Sequence, residues 1–152
     1  MSAYQRALKL LARRSHFRRE LEAKLAQRGF EEGEVAAALD RLATEGYVDD
    51  RATAREFAAS RLARGPVGRV KLQADLARKG TDPDLAQEVA AELVSDDDLD
   101  DARRAAERWR ARSRPGADPR AALGRHLERK GFSARAIVRV LAEQDLPPGR
   151  AE

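Results

Sequence analysis

Three glycines divide this chain evenly: Gly29, Gly80 and Gly131 stand 51 residues apart. Each lies four residues beyond a leucine that itself follows another leucine by four, in the pairs Leu21/Leu25, Leu72/Leu76 and Leu123/Leu127. Asp49-Asp50 recurs as Asp100-Asp101, Gly65 as Gly116 and Glu56 as Glu107, all at the same lag. A fixed period near fifty means one supersecondary unit used three times. The functional question then becomes what a row of three similar units binds, rather than where a single pocket lies.

Units of this length bury little surface alone and are expected to support one another by stacking. Hydrophobic residues make up 42% of the 152-residue chain, aromatics only 5%, and charged residues 37%, a balance that suits exposed helices. With no cysteine there is no disulfide, thiolate metal site or cysteine nucleophile, in keeping with a reducing cytosol. No apolar run reaches the roughly 18–20 residues of a membrane span. The basic N-terminus has an amphipathic rhythm like that of a transit peptide, but Glu20 and Glu22 interrupt it.

Apolar residues recur at helical spacing through nearly the whole chain, and no segment alternates like a strand. In the first unit Leu8 and Leu11 mark helix one, Leu21 and Leu25 helix two, and Val35, Leu39 and Leu42 helix three. The glycines end the second helix of each unit, so Gly80 and Gly131 are expected at positive φ. Asp82-Pro83 and Ser133 are good starts for the helix that follows, and Glu31 a poorer one. Asp49 and Asp50 place negative charge at the start of the next unit's first helix. The Tyr47-Val48 pair just before them is expected to pack into the junction between the first two units. Arg64-Gly65-Pro66 and Arg114-Pro115-Gly116 break the first helix from the second, and Asp118-Pro119 opens the second helix of the last unit. The fold class expected is all-α: three tandem three-helix repeats (1–48, 49–98 and 99–145) in an elongated, curved row, with residues 146–152 a frayed tail.

Few constellations suggest chemistry. His16 and His126 lie in different units, neither with a second ligand at metal spacing, and His126 reads as solvent-facing. The run from Ser95 to Asp101 imitates a calcium loop, but Asp101 stands where that loop needs glycine and Arg103-Arg104 follow it; helix capping explains it. Gly65-Pro66-Val67-Gly68 lacks the Gly-Lys-Ser/Thr ending and the preceding strand of a phosphate loop. No catalytic residue, metal or cofactor is expected.

Charge is the remaining signal. Residues 1–101 hold 17 Lys and Arg against 20 Asp and Glu, a net −3; residues 102–152 hold 13 against 6, a net +7. Arg103, Arg104, Arg108 and Arg112 crowd one helix, around a stripe of Leu99, Ala102, Ala105, Ala106 and Trp109. Arg125, Arg129 and Lys130 lie on the next helix. Such asymmetry points to an acidic or polyanionic partner for this last unit.

The ordered set of motifs resembles the RecX family. Its carriers are Glu20-Leu21, Lys24-Leu25 and Arg28-Gly29-Phe30, then Val35, Leu39 and Leu42, then Gly46-Tyr47-Val48-Asp49-Asp50. Phe57, Arg61, Gly65, Arg69, Leu76 and Lys79-Gly80 continue it, and the likeness runs from about residue 3 to 143. Ala52 departs from it, standing where the family usually has an aromatic. The resemblance implies a bacterial, cytoplasmic, non-enzymatic regulator of the RecA recombinase filament. It further implies that strand exchange, ATP hydrolysis and coprotease activity are restrained, and that DNA, single- or double-stranded, is a second contact. Successive units would meet successive protomers of the filament, with affinity arising from effective concentration. A monomer is expected, since nothing requires a dimer. The rival expectation is a sequence-tolerant nucleic-acid binder that acts without RecA.

Overall fold

A computed structural model describes residues 1–114 and 116–146. Among these it contains nine helices and no strand: α1 (Ala3–Leu11), α2 (Arg18–Gln27), α3 (Glu32–Thr44), α4 (Asp50–Ala63), α5 (Arg69–Lys79), α6 (Pro83–Leu93), α7 (Leu99–Arg112), α8 (Pro119–Arg129) and α9 (Ala134–Glu143). The tail expected to fray lies, from residue 147 on, outside the described residues, as does Pro115 before α8.

The helices begin where their sequences supply acceptors for unpaired N–H groups. Ser2 Oγ accepts the Gln5 N–H at 3.1 Å, and Gln5 Oε1 accepts the Ser2 N–H at 3.0 Å, closing a capping box on α1. Asp118 and Ser133 cap α8 and α9 through the N–H groups of Ala121 and Ala136. Glu31 makes no side-chain cap on α3. The Asp49-Asp50 pair divides its work: Asp49 accepts the Ala52 N–H inside α4, whereas Asp50 accepts the N–H of Arg18, the first residue of α2, at 2.9 Å. The second aspartate thus ties two helix starts together.

The chain folds as two compact units, Met1–Phe57 with Asp75–Val89, and Ala58–Ala74 with Ala90–Glu152. Helices α4, α5 and α6 each contribute to both. In the first unit α1, α2 and α3 pack on one another around Ala3, Ala7, Leu21, Leu25, Val35, Ala38, Leu39, Leu42 and Val48. In the second, α7, α8 and α9 do the same around Ala102, Ala105, Ala106, Leu123, Leu127, Phe132, Ala136 and Val140.

Tyr47 departs from the sequence expectation. The turn through Gly46, at φ +83°, folds the N–H groups of Tyr47 and Val48 back onto the Leu42 carbonyl. That closure sends Val48 into the core and leaves Tyr47 58% exposed. Val48 is buried, but among α1, α2 and α3 of its own repeat rather than against residues of the next one. Thr81 is a second irregularity: it occupies the repeat position of Phe30 and Phe132, is fully buried, and its hydroxyl has no hydrogen-bond partner among the described residues.

The glycines at the repeat period have unequal surroundings. Gly29, Gly80 and Gly131 all have positive φ, at +87°, +112° and +79°. A methyl group on Gly29 would meet nothing within 4 Å. One on Gly80 would touch Arg19 Cβ at 3.4 Å, and one on Gly131 would lie 2.3 Å from the Lys71 backbone nitrogen. Opposite Gly131 sits Gly68, whose N–H donates to the Lys130 carbonyl at 2.8 Å. A methyl on Gly68 would come within 2.0 Å of the Gly131 carbonyl oxygen. The two backbones are in direct contact, and no residue with a side chain fits between them.

Replacement by alanine separates the two roles. Gly29→Ala carries only the left-handed backbone penalty, about 1–2 kcal/mol. Gly131→Ala adds a collision with backbone atoms that cannot rotate away, so its melting temperature falls well below that of Gly29→Ala. Equal losses in thermal unfolding would contradict the packing role.

Candidate functional site

Helix α7 owes its orientation to small residues. Ala102, Ala105 and Ala106 are buried, and Leu99 and Trp109 pack beside them on the second unit's core. The arginines are thereby turned to the other faces, but they do not share one fate.

Arg103 is held by a fork of acids: its Nε and Nη2 donate to Glu143 at 2.8 and 2.7 Å, and Nη1 to Asp100 at 2.8 Å. The guanidinium lowers the Glu143 carboxyl to about 2, and the carboxylates in turn raise the Arg103 pKa. Arg104 pairs with Asp101 one turn earlier. Arg108 reaches out of α7 instead: its Nη2 donates to the Arg64 carbonyl at 3.0 Å and its guanidinium lies over Gly65. Arg112 is exposed at the end of α7. On α8, Arg125 and Arg129 are exposed, and Lys130 is half-buried.

Arg108, Arg112 and Lys130 meet in one cleft of about 180 Å³. Its opposite wall is the end of α4 and the turn beyond it, with Arg61, Arg64, Gly65 and Pro66. Trp109 and His126 complete it, their ring centroids 6.4 Å apart and tilted by 38°. No described residue lining the cleft is acidic. His126 is therefore half-buried rather than solvent-facing; burial first, then the charges of Lys130 and Arg129, hold its pKa below the ordinary histidine value. Five cationic side chains thus surround an indole and an imidazole, with no described acidic side chain in the lining.

The structure does not bring Arg103, Arg125 or Arg129 into this cleft. Arg104 borders a neighbouring, mixed-charge hollow with Asp101 and Glu107, which Arg108 also lines. Arg61, one of the family-motif residues, and Arg64, part of the Arg64-Gly65-Pro66 helix break, also line the cleft, a role that the 51-residue period does not mark. Arg61 lies in the last turn of α4 and Arg64 one residue beyond its end, in the turn that leads to Gly65.

The acidic run is absorbed by structure. Asp98 is buried and accepts both the N–H and the hydroxyl of Ser133 at 2.7 Å. Asp96 pairs with Arg69, and Asp97 accepts the Leu99 N–H. Among the described residues no group of three His, Cys, Asp or Glu side chains could hold a metal.

The Arg103–Glu143 fork leaves a pH signature. A carboxyl depressed in the folded state adds stability above its unfolded pKa, and that stability is lost as pH falls toward the folded value. Thermal stability of the wild type should therefore decline between about pH 4.5 and 2 partly through Glu143, and Glu143→Gln should flatten that decline. Superimposable pH profiles would show that the fork is not maintained in solution.

Known proteins resemble this chain in sequence and in fold. Residues 3–42 match a family described as RecX, first three-helix domain, and residues 49–89 match RecX, second three-helix domain. The Regulatory protein RecX of Halorhodospira halophila is 40% identical over 144 residues, covering 91% of this chain and 86% of that one. That of Chromohalobacter salexigens is 38% identical over 139 residues, covering 90% and 88%. A crystal structure of RecX from Lactobacillus salivarius superposes with a TM-score of 0.79 at 21% identity over 94% of both chains, a likeness of fold.

Proposed function

The chain belongs to the RecX family, a family of regulatory proteins, and from that footing we propose that it is a non-enzymatic regulator docking on RecA filaments assembled on single-stranded DNA. The observation that carries the reading is the cleft of Arg61, Arg64, Arg108, Arg112 and Lys130, in which no described lining residue is acidic. A filament of protein on a polyphosphate strand offers negative charge repeatedly along its length. A concentrated cationic site is drawn to it by long-range attraction and held by charge-assisted hydrogen bonds.

Docking there would restrain ATP hydrolysis, strand exchange and coprotease activity by occupying filament surface, with no chemical step of its own. The repeats at 1–48, 49–98 and 99–145 are taken as the docking units, acting as a monomer in the bacterial cytoplasm. No helix among the described residues is long and apolar enough to cross a membrane.

Reversing Arg104, Arg108 and Arg112 to glutamate tests the reading, since glutamate is a comparable helix former and the fold should survive. Wild-type protein added to a preformed RecA filament should slow ATP hydrolysis. The triple variant should need on the order of tenfold more protein for the same effect, with unchanged circular dichroism. An equally potent, folded variant would remove the basic surface from the mechanism. Tight binding to naked oligonucleotides without any effect on RecA would favour a free-standing nucleic-acid binder.

A further inference from the structure

Charge alone would satisfy an acidic protein surface, yet the cleft also contains an indole. Trp109 packs one part of its ring system against the core of the second unit and presents another part to the cleft, between Arg108 and Arg112 in sequence and beside His126. Aromatic faces among guanidinium groups are what a single strand uses: phosphates take the cations, and an unpaired base stacks on the ring. A duplex keeps its base faces occupied by their neighbours. Arginine forks also match phosphate oxygens two at a time.

We propose that this cleft binds one nucleotide unit of a single-stranded nucleic acid, with its phosphate held by Arg64 and Arg112 and its base stacked on Trp109. The proposal rests on the filament reading above and names which component of the filament the cleft touches: the strand rather than the recombinase. Arg61 and Lys130 extend the cationic lining toward neighbouring phosphates.

Trp109 is the sole tryptophan of the chain, so its emission reports on the cleft directly. Full-length protein titrated with a short oligothymidylate at low salt should show saturable quenching of that emission. Polyglutamate of equal charge, and free ATP, should produce little. Arg64→Glu with Arg112→Glu should weaken oligonucleotide binding by about tenfold or more, with a shallower salt dependence. Arg125→Glu with Arg129→Glu, the same charge change outside the cleft, should weaken it less than about threefold. Trp109→Leu, followed by anisotropy of a labelled oligonucleotide, should cost on the order of tenfold; the exposed double variant keeps the test intact if the leucine protein fails to fold.

Quenching by polyglutamate as strong as by oligothymidylate would assign the cleft to an acidic protein partner and overturn the proposal. Quenching by ATP but not by the oligonucleotide would overturn it too, as would no quenching by any ligand. RecA-filament binding measured on the same preparations keeps the two readings apart: intact filament binding without oligonucleotide binding sinks only the strand assignment. A protein that binds neither filament nor oligonucleotide sinks both.

Discussion

Backbone touches backbone where Gly68 meets Gly131, and the shape of the cationic cleft depends on that contact. The Gly68 N–H has no acceptor within its own helix, standing just before α5, and finds one in the Lys130 carbonyl at the end of α8. This hydrogen bond sets the α4–α5 turn against the end of α8, so that Arg64, Gly65 and Pro66 face α7 across a narrow gap. The first unit repeats the arrangement loosely, with Gly80 near Phe17 and Arg19, the counterparts of Gly68 and Val70 one period earlier. Phe17 carries a side chain where the second unit needs Gly68, because no backbone atom comes within 4 Å of a methyl built on Gly80.

With the walls placed, local pairing decides which arginines remain available to a partner. Arg103 and Arg104 are occupied by acids within α7 and from α9. These pairs neutralise charge at one end of α7 and leave the cationic field concentrated around Arg108 and Arg112. Helix α7 therefore has an acidic, self-paired beginning and a basic, outward-directed end. The net +7 of residues 102–152 takes on a direction that composition alone does not contain.

Much of the architecture was legible in the sequence because its signals are local. Leucines at i and i+4, glycine four residues later and Asp-Pro or Ser at the next helix start each act within a turn or two, and a period of 51 residues repeats them. The misses come from distance or from a turn of one residue. Tyr47 and Val48 are adjacent, and only the dihedral angles at Gly46 decide which of them enters the core. Gly68 looks like any loop glycine until Gly131 is seen opposite it. Thr81 breaks the aromatic pattern of Phe30 and Phe132 at a fully buried position, where its hydroxyl has no hydrogen-bond partner among the described residues. At the candidate site, α7 and α8 were visible as basic helices. The opposite wall was not, since Arg61 and Arg64 come from the preceding repeat and are brought there by tertiary contact.

Amide hydrogen exchange at Gly68 tests this dependence most directly. An N–H bonded across to Lys130 and covered by the α8 backbone opens only when the α4–α5 turn leaves α8. The Gly68 amide should exchange as slowly as the buried amides of Leu123 and Leu127. Exchange as fast as at the exposed turn residue Gly116 would show that the contact does not persist in solution, and that something else shapes the cleft.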